Sequence, residues 1–147
     1  MQKILRYAFA ATGLRRLGPT QTPWQASVRF VNRPKMARLN YQYRRKKYPT
    51  DVLSFPSFGP FRKAGILGEI VICLPVLKAQ ALRSHKFGPE LELDVLLVHG
   101  LLHLLGLDHE RNAQEARKMS RWELYLLNKL KAPTSDLGLI DRSIAKV

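Results

Sequence analysis

Cysteine is nearly absent from this chain of 147 residues, which has a single one, Cys73, within an apolar run. One cysteine cannot form an intrachain disulfide, and it excludes a metal site built from several thiolates. A reducing compartment therefore suits the protein best. Because a chain of this length can bury a core without disulfides, the sequence predicts one domain over residues 1–147. We distinguish within it a basic amino-terminal segment, 1–24, and a carboxy-terminal tail, 132–147.

A long uninterrupted apolar run is also missing. The longest apolar stretch, residues 95–107, is broken by two histidines and falls short of the roughly 18 residues that a membrane span requires. We therefore expect a soluble, cytoplasmic protein with no membrane partner. The basic start of the chain is also compatible with an organelle matrix, since it resembles a transit segment in composition.

Acidic residues are missing from the first third of the chain, where the first to appear is Asp51. Residues 1–50 carry twelve lysines and arginines, so twelve of the fourteen net positive charges lie there. Such a concentration is typical of a protein that binds a polyanion, most commonly the phosphate backbone of a nucleic acid. The alternatives are a solvated basic surface that keeps the protein soluble and a targeting segment at the start of the chain.

Hydrophobic periodicity predicts a mixture of helices and strands. Apolar residues recur at helical spacing over 2–14, 34–45, 77–84, 89–105 and 111–131. Alternating or continuous apolar runs predict strands over 26–31, 51–55 and 66–74, with a loop over 56–65. Because these elements are interspersed, we predict an α+β fold in which a small mixed sheet packs against helices, one of them the buried helix 89–105.

Two histidines interrupt that buried helix. His99 and His103 are four residues apart, so their side chains project from one face and can bind one ion. His109 follows across Gly106, where the chain turns back. A lone histidine in an apolar helix is more simply explained as a satisfied core residue, but burying two without partners is costly. The spacing therefore predicts a site for one divalent metal ion.

Three imidazole ligands leave one tetrahedral position open, which is typical of a catalytic zinc site rather than a structural one. We predict one zinc ion per chain, bound by His99, His103 and His109. Asp108 and Glu110 flank the third histidine and either support it or cap the next helix.

The same spacing of histidines occurs in metzincin-type zinc proteases, where a glutamate follows the first histidine and serves as general base. In this chain that position is Gly100, which cannot accept a proton. The sequence therefore argues against proteolysis, although the spacing of the three histidines still permits a metal site.

Three motifs occur in a fixed order: Leu39-Asn40-x2-Tyr43-Arg44 with Pro-Thr-Asp-Val-Leu-Ser-Phe at 49–55, Leu-Gly-Glu-Ile-Val-Ile at 67–72, and the histidine motif with glycine in its second position. From about residue 25 to about residue 130, their order and separations resemble the YbeY family, metal-dependent endoribonucleases that cut single strands in ribosomal RNA maturation. The family normally begins with an additional strand, which is not evident here. The resemblance therefore implies a shortened or rearranged start.

The resemblance implies an α+β fold with a zinc-binding helix and assigns the three histidines as ligands. It also implies that Arg44 is catalytic, since an arginine near the metal can stabilise the extra negative charge of a pentacoordinate phosphorus. The simpler interpretation is that Arg44 belongs to a solvated basic cluster. The remaining residues of that cluster are predicted to bind RNA: Arg45, Lys46 and Lys47. Three residues either line the groove or serve only as turn and strand residues: Thr50, Asp51 and Ser54.

Three functional hypotheses follow. The leading one is a zinc-dependent endoribonuclease that acts on single-stranded RNA in ribosomal RNA processing and ribosome biogenesis, with the small ribosomal subunit or ribosomal proteins as further partners. The second is a ribosome-assembly or RNA-binding factor in which zinc is structural. The third, a zinc metalloprotease, requires a carboxylate elsewhere to replace the missing base.

Overall fold

The computed structural model describes residues 24–84 and 88–130. These residues form three strands and five helices: β1 (Gln25–Val31), α1 (Arg33–Arg44), β2 (Val52–Pro56), α2 (Gly59–Lys63), β3 (Ile66–Cys73), α3 (Leu74–Ser84), α4 (Pro89–Leu104) and α5 (Ala113–Lys129). The predicted helix at 2–14 and the tail 132–147 lie outside the described residues, as does the amino-terminal segment except for Trp24. None of the described helices is long and apolar enough to cross a membrane.

The three strands form one mixed sheet in the order β1-β3-β2. β1 runs parallel to the central β3, and β2 runs antiparallel to it. Helices cover both faces, so β3 is buried on both sides, as its continuous apolar run Ile70–Cys73 predicts. The predicted α+β fold with a small mixed sheet is thus confirmed.

Alternate residues of β3 belong to two hydrophobic clusters. Ile70 and Ile72 join the larger cluster with residues of α3, α4 and α5, whereas Val71 and Cys73 join a smaller cluster with Met36 of α1. Successive side chains of a strand point to opposite faces, so this alternation places α4 and α1 on opposite sides of the sheet. Within the described sheet β2 is an edge strand between them.

Helix α1 has defined signals at both ends. The Asn32 side chain accepts a hydrogen bond from the Lys35 N–H at 3.0 Å, which caps the start. At the other end Arg45 adopts the left-handed conformation, with φ of 58°, and its N–H bonds to the Tyr41 carbonyl. The buried Asn40 then donates to the Tyr48 carbonyl at 2.7 Å, which ties the basic segment after the helix back onto it.

Two predictions of local structure differ from the fold. The predicted loop 56–65 contains the short helix α2, because Gly59 and Pro60 form a favourable first turn. Helix α3 begins three residues earlier than predicted, at Leu74, and Pro75 is tolerated there because the first helical turn needs no backbone donor.

Helix α4 packs closely on the sheet at Gly100. A Cβ atom placed on Gly100 would lie 2.9 Å from Cγ2 of the buried Ile70 and 3.1 Å from Oγ of Ser54. At the position that carries the catalytic glutamate in metzincins, even a Cβ atom would require Ile70 to shift, which strengthens the argument against a protease of that type.

Gly100→Ala is expected to lower the free energy of unfolding by up to about 2 kcal/mol. Overpacking a core costs about 1–3 kcal/mol, and the better helix propensity of alanine offsets roughly 1 kcal/mol of that. Urea denaturation measures the change. Gly88→Ala, at the N-cap of α4, is a control without overpacking, because nothing lies within 4 Å of a Cβ atom there. A Gly100→Ala variant that is more stable than wild type would contradict the close packing of α4 on the sheet.

Candidate metal centre

The turn that ends α4 brings the third histidine back toward the first two. Gly106 has φ of 94°, its N–H bonds to the His103 carbonyl, and the Leu107 N–H bonds to the Leu102 carbonyl. This pair of hydrogen bonds forms a Schellman motif, which requires a residue that tolerates positive φ. The predicted stop at Gly106 is therefore where the chain reverses and where His109 becomes available to the site.

The Arg62 side chain supports the same end of the helix. Its guanidinium donates to the Leu104 carbonyl at 2.7 Å and lies over the ring of Trp24. A cation at the carboxyl end of a helix is favourable because the last carbonyls carry partial negative charge. Arg62 thereby fixes the helix end next to the histidines.

His99, His103 and His109 converge. One nitrogen of each ring lies within 4.8 Å of a nitrogen of the others, and the ring centroids are 4.7 to 5.2 Å apart. Nε2 of His103 lies 3.2 Å from Nε2 of His99. All three residues are partly buried. The predicted trio is thus positioned to hold one metal ion.

Burial keeps two of these rings uncharged. The pKa of His103 is lowered from 6.5 to about 4, first by desolvation and then by the neighbouring His99 and His109. Desolvation also lowers the pKa of His109, followed by the effect of His99. Because a metal ligand must offer an unprotonated nitrogen, both rings are ready to bind a cation at neutral pH.

A carboxylate on α5 orients the first histidine. Oε1 of Glu123 lies 2.5 Å from Nδ1 of His99, and the Glu123 side chain is only 20% exposed. A carboxylate at Nδ1 accepts a hydrogen bond from the ring N–H and leaves the Nε2 lone pair free for a metal, an arrangement common around histidine ligands. Glu123 therefore sets the ring orientation from 24 residues away in the sequence.

Glu123→Gln is expected to weaken zinc binding by about 10- to 100-fold, the usual cost of losing an outer partner of a histidine ligand. Competition with a chromophoric chelator measures the affinity. Glu115→Gln on the same helix is the control, since Glu115 forms an ion pair with Lys118 at 3.8 Å and not with a histidine. Equal zinc affinity of wild type and Glu123→Gln would show that the carboxylate does not orient the ligand.

The donor set fits a zinc ion. Neutral imidazole is a preferred zinc ligand, and the described part of the chain brings three together. Nδ1 of His109 is buried and has no hydrogen-bond partner among the described residues. A buried polar atom without a hydrogen-bond partner is unfavourable unless an ion or another group interacts with it. The cluster therefore has the chemistry of a cation site rather than of an ordinary packed core.

Arg44, at the end of α1, reaches the loop of the third histidine. Its Nη2 donates to Oε1 of Glu110 at 2.6 Å, and Glu110 directly follows His109. Both side chains remain partly exposed, at 36% and 44%. Arg44 and Glu110 thus join two segments that are 66 residues apart in the sequence.

The other predicted site residues occupy several environments. Arg45 and Lys47 are exposed and Lys46 is partly buried, so their role in binding RNA stays a prediction. Asp51 accepts hydrogen bonds from the Val52 N–H and from the side chain of Gln80, which gives it a structural role at the start of β2.

The sequence also left alternative roles open for Thr50, Ser54, Asp108 and Glu110. The Thr50 hydroxyl donates to the carboxylate of Asp51, and Ser54 lies against α4 at Gly100. Asp108 accepts from the Glu110 N–H at 2.9 Å, which lowers the pKa of its carboxyl. The cap of α5 is Asn112, so neither Asp108 nor Glu110 caps that helix.

Glu123 was missed in the sequence, although a signal for it exists. It lies four residues after Met119 and four before Leu127, both of them buried, so it falls on the apolar stripe of α5. A charged residue on a buried stripe is rarely tolerated unless it is paired. The position of Glu123 therefore predicts a hydrogen-bond or ion-pair partner, but the sequence does not identify that partner.

Comparison with known proteins gives consistent matches. The family model described as Endoribonuclease YbeY matches residues 1–131. A relative named Endoribonuclease YbeY from Aquifex aeolicus is 38% identical over 132 residues, covering 88% of this chain and 81% of the relative. Another of the same name, from Acinetobacter baumannii, is 41% identical over 111 residues, covering 72% and 70%.

A solved structure shares the fold. The solution structure of TM1509 from Thermotoga maritima superposes with a TM-score of 0.53 at 24% identity, covering 92% of this chain and 82% of that one. The sheet, the histidine helix and the family match all agree with the resemblance drawn from the three motifs. The chain belongs to the YbeY family.

Proposed function

We propose that this protein is a zinc-dependent endoribonuclease that cuts single-stranded RNA during ribosomal RNA maturation. The observation that carries the proposal is the cluster of His99, His103 and His109, with Arg44 bonded to the residue that follows the third histidine. Membership of a family described as endoribonucleases supports the same reaction. A ribosomal RNA substrate assigns the protein to the cytoplasm or to an organelle matrix.

The three histidines would hold the ion. When bound, zinc supplies Lewis acidity toward a phosphoryl oxygen and lowers the pKa of a water molecule. Glu123 holds the His99 ring, and Arg62 and the Gly106 turn hold the end of α4. These contacts keep the ligands in place without movement of the backbone.

Arg44 would stabilise the negative charge that develops on the phosphoryl oxygens. A guanidinium is a planar cation that can donate two parallel hydrogen bonds to a phosphate. In the free protein the Arg44 guanidinium is held by the Glu110 carboxylate, which a substrate phosphate can replace as acceptor. The Arg44 side chain is therefore held next to the histidine loop before RNA binds.

Arg45, Lys46 and Lys47 would contact the phosphate backbone next to Arg44. The described residues 24–50 include no acidic residue, so nothing in that segment opposes a polyanion. Contacts of this kind add affinity without sequence preference and weaken as salt is raised. They account for binding, whereas cleavage is assigned to the metal centre and Arg44.

Digestion of ribosomal RNA precursor tests the proposal. Zinc-loaded protein should cut single-stranded regions of the precursor and leave paired regions intact, and mapping of the new ends should place them at the boundaries of mature ribosomal RNA. A matched double-stranded RNA is the control substrate. Cleavage of casein with no cleavage of RNA would instead favour a metalloprotease.

A further inference from the structure

Tyr43 is exposed although its position predicts burial. It lies at helical spacing from Met36 and Asn40, which are both fully buried, yet 58% of its surface is accessible. Its ring contacts the Phe55 ring edge to face, with centroids 4.8 Å apart at 66°, and this contact favours the observed orientation. The rest of the Tyr43 ring surface remains accessible.

The Tyr43–Phe55 pair lies on the α1 side of the sheet and is linked to the metal centre through Arg44. Tyr43 directly precedes Arg44, which bonds to Glu110 next to His109. Phe55 directly follows Ser54, whose hydroxyl lies against α4 at Gly100, the neighbour of His99. Successive strand residues point to opposite faces, so Phe55 faces α1 whereas Ser54 faces α4, and the pair is connected to the histidine loop through Tyr43 and Arg44.

The chain segment that contains Tyr43 is strongly basic. Arg44 to Lys47 follow directly, and the described residues before Asp51 include no acid. A partner for this surface must offer negative charge and a flat ring. Unpaired nucleotides offer both, and proteins that bind single strands combine a basic track with aromatic rings on which bases stack.

We propose that Tyr43, held by Phe55, is a platform on which one unpaired base of an RNA strand stacks next to Arg44. This rests on the proposed function for the identity of the substrate. A base in a duplex is already stacked and paired, so Tyr43 can accept only a nucleotide that is unpaired. The platform therefore confers a preference for single strands and positions the strand relative to Arg44.

Binding measurements with a base-containing oligonucleotide and an abasic oligonucleotide of equal charge test this directly. The probe is a fluorescein-labelled single strand in 2′-O-methyl form, titrated with zinc-loaded protein and checked on a gel for intactness. Tyr43→Ala should weaken binding of the base-containing strand about tenfold, within the roughly 5- to 150-fold range of one stacked base. Binding of the abasic strand should stay within about twofold of wild type, since the phosphates are unchanged.

Three further variants separate stacking from packing. Tyr43→Trp should restore affinity because it supplies a ring, whereas Tyr43→Leu keeps an apolar contact with Phe55 and should not. Tyr41→Ala is the matched control, because Tyr41 is 47% exposed on the same helix but about 200° around it from Tyr43. It should bind both strands as wild type does.

The proposal is overturned if Tyr43→Ala binds the base-containing strand normally. It is equally overturned if both strands are weakened alike or if tryptophan fails to rescue, because either result indicates a structural role. Failure of the nuclease proposal looks different: a strand would then bind in a Tyr43-dependent way and remain uncut when it is unmodified RNA. Cleavage of RNA that does not depend on Tyr43 would instead support the nuclease proposal and overturn the stacking proposal.

Discussion

His103→Ala is expected to abolish stable zinc binding and to reduce RNA cleavage to the level of a protein-free control. His103 is one of the three candidate ligands, with its Nε2 at 3.2 Å from that of His99 and its ring 5.2 Å from that of His109. Two remaining imidazoles cannot complete the three-ligand set that a catalytic zinc ion requires. Metal content by elemental analysis and cleavage of a labelled single strand measure the two effects.

Removal and return of the metal provide the control for His103→Ala. Chelation should inactivate the wild type, and added zinc should restore it, whereas the variant should stay inactive at any zinc concentration. Circular dichroism should show that α4 is retained, since the helix is held mainly by the buried residues Val95, Leu96, Val98, Leu101 and Leu102. Full cleavage by rigorously metal-free wild type would refute the proposed mechanism.

Arg44→Ala is expected to lower kcat by about 10²- to 10³-fold, which is typical of losing one group that stabilises transition-state charge. The affinity for RNA should change only a few-fold, because the flanking basic residues still contact the backbone. Arg44→Lys should recover little, since an ammonium keeps the charge but not the planar pair of donors. Single-turnover cleavage with separate binding titrations distinguishes the two parameters.

Lys47→Ala is the matched control for Arg44. Lys47 is exposed, and its loss should weaken RNA binding without lowering kcat. The dependence of RNA affinity on salt concentration should fall by about one phosphate contact. A loss of affinity alone in Arg44→Ala, or no effect on either parameter, would instead favour the ribosome-assembly hypothesis, in which zinc is structural and RNA is bound but not cut. The pair of variants thus separates catalysis from binding.

Much of the site was predictable because its information is local. The four-residue spacing of His99 and His103 on a helix fixes their common face, and Gly106 permits the left-handed turn that returns His109. These relations depend on backbone geometry over about ten residues. The helix, its stop and the convergence of the three rings therefore follow from the order of residues alone.

The partners of these groups could not be derived in the same way, because they come from distant segments. Glu123 meets His99 across 24 residues and Glu110 meets Arg44 across 66. Spacing along a helix says which face a residue occupies, but not what packs against that face. Even where the apolar stripe of α5 marks Glu123 as anomalous, the identity of its partner depends on how α4 and α5 pack.

Composition, periodicity and the three motifs were enough to establish an α+β chain with a basic first third and a histidine cluster suited to a metal. Three-dimensional packing alone established that β2 is one of the two edge strands of the described sheet, that Gly100 leaves no room for a catalytic carboxylate, and that the Tyr43 ring is exposed. The physical reason is that periodicity is encoded over a few residues, whereas burial and hydrogen-bond partners arise only when segments far apart in the chain come into contact.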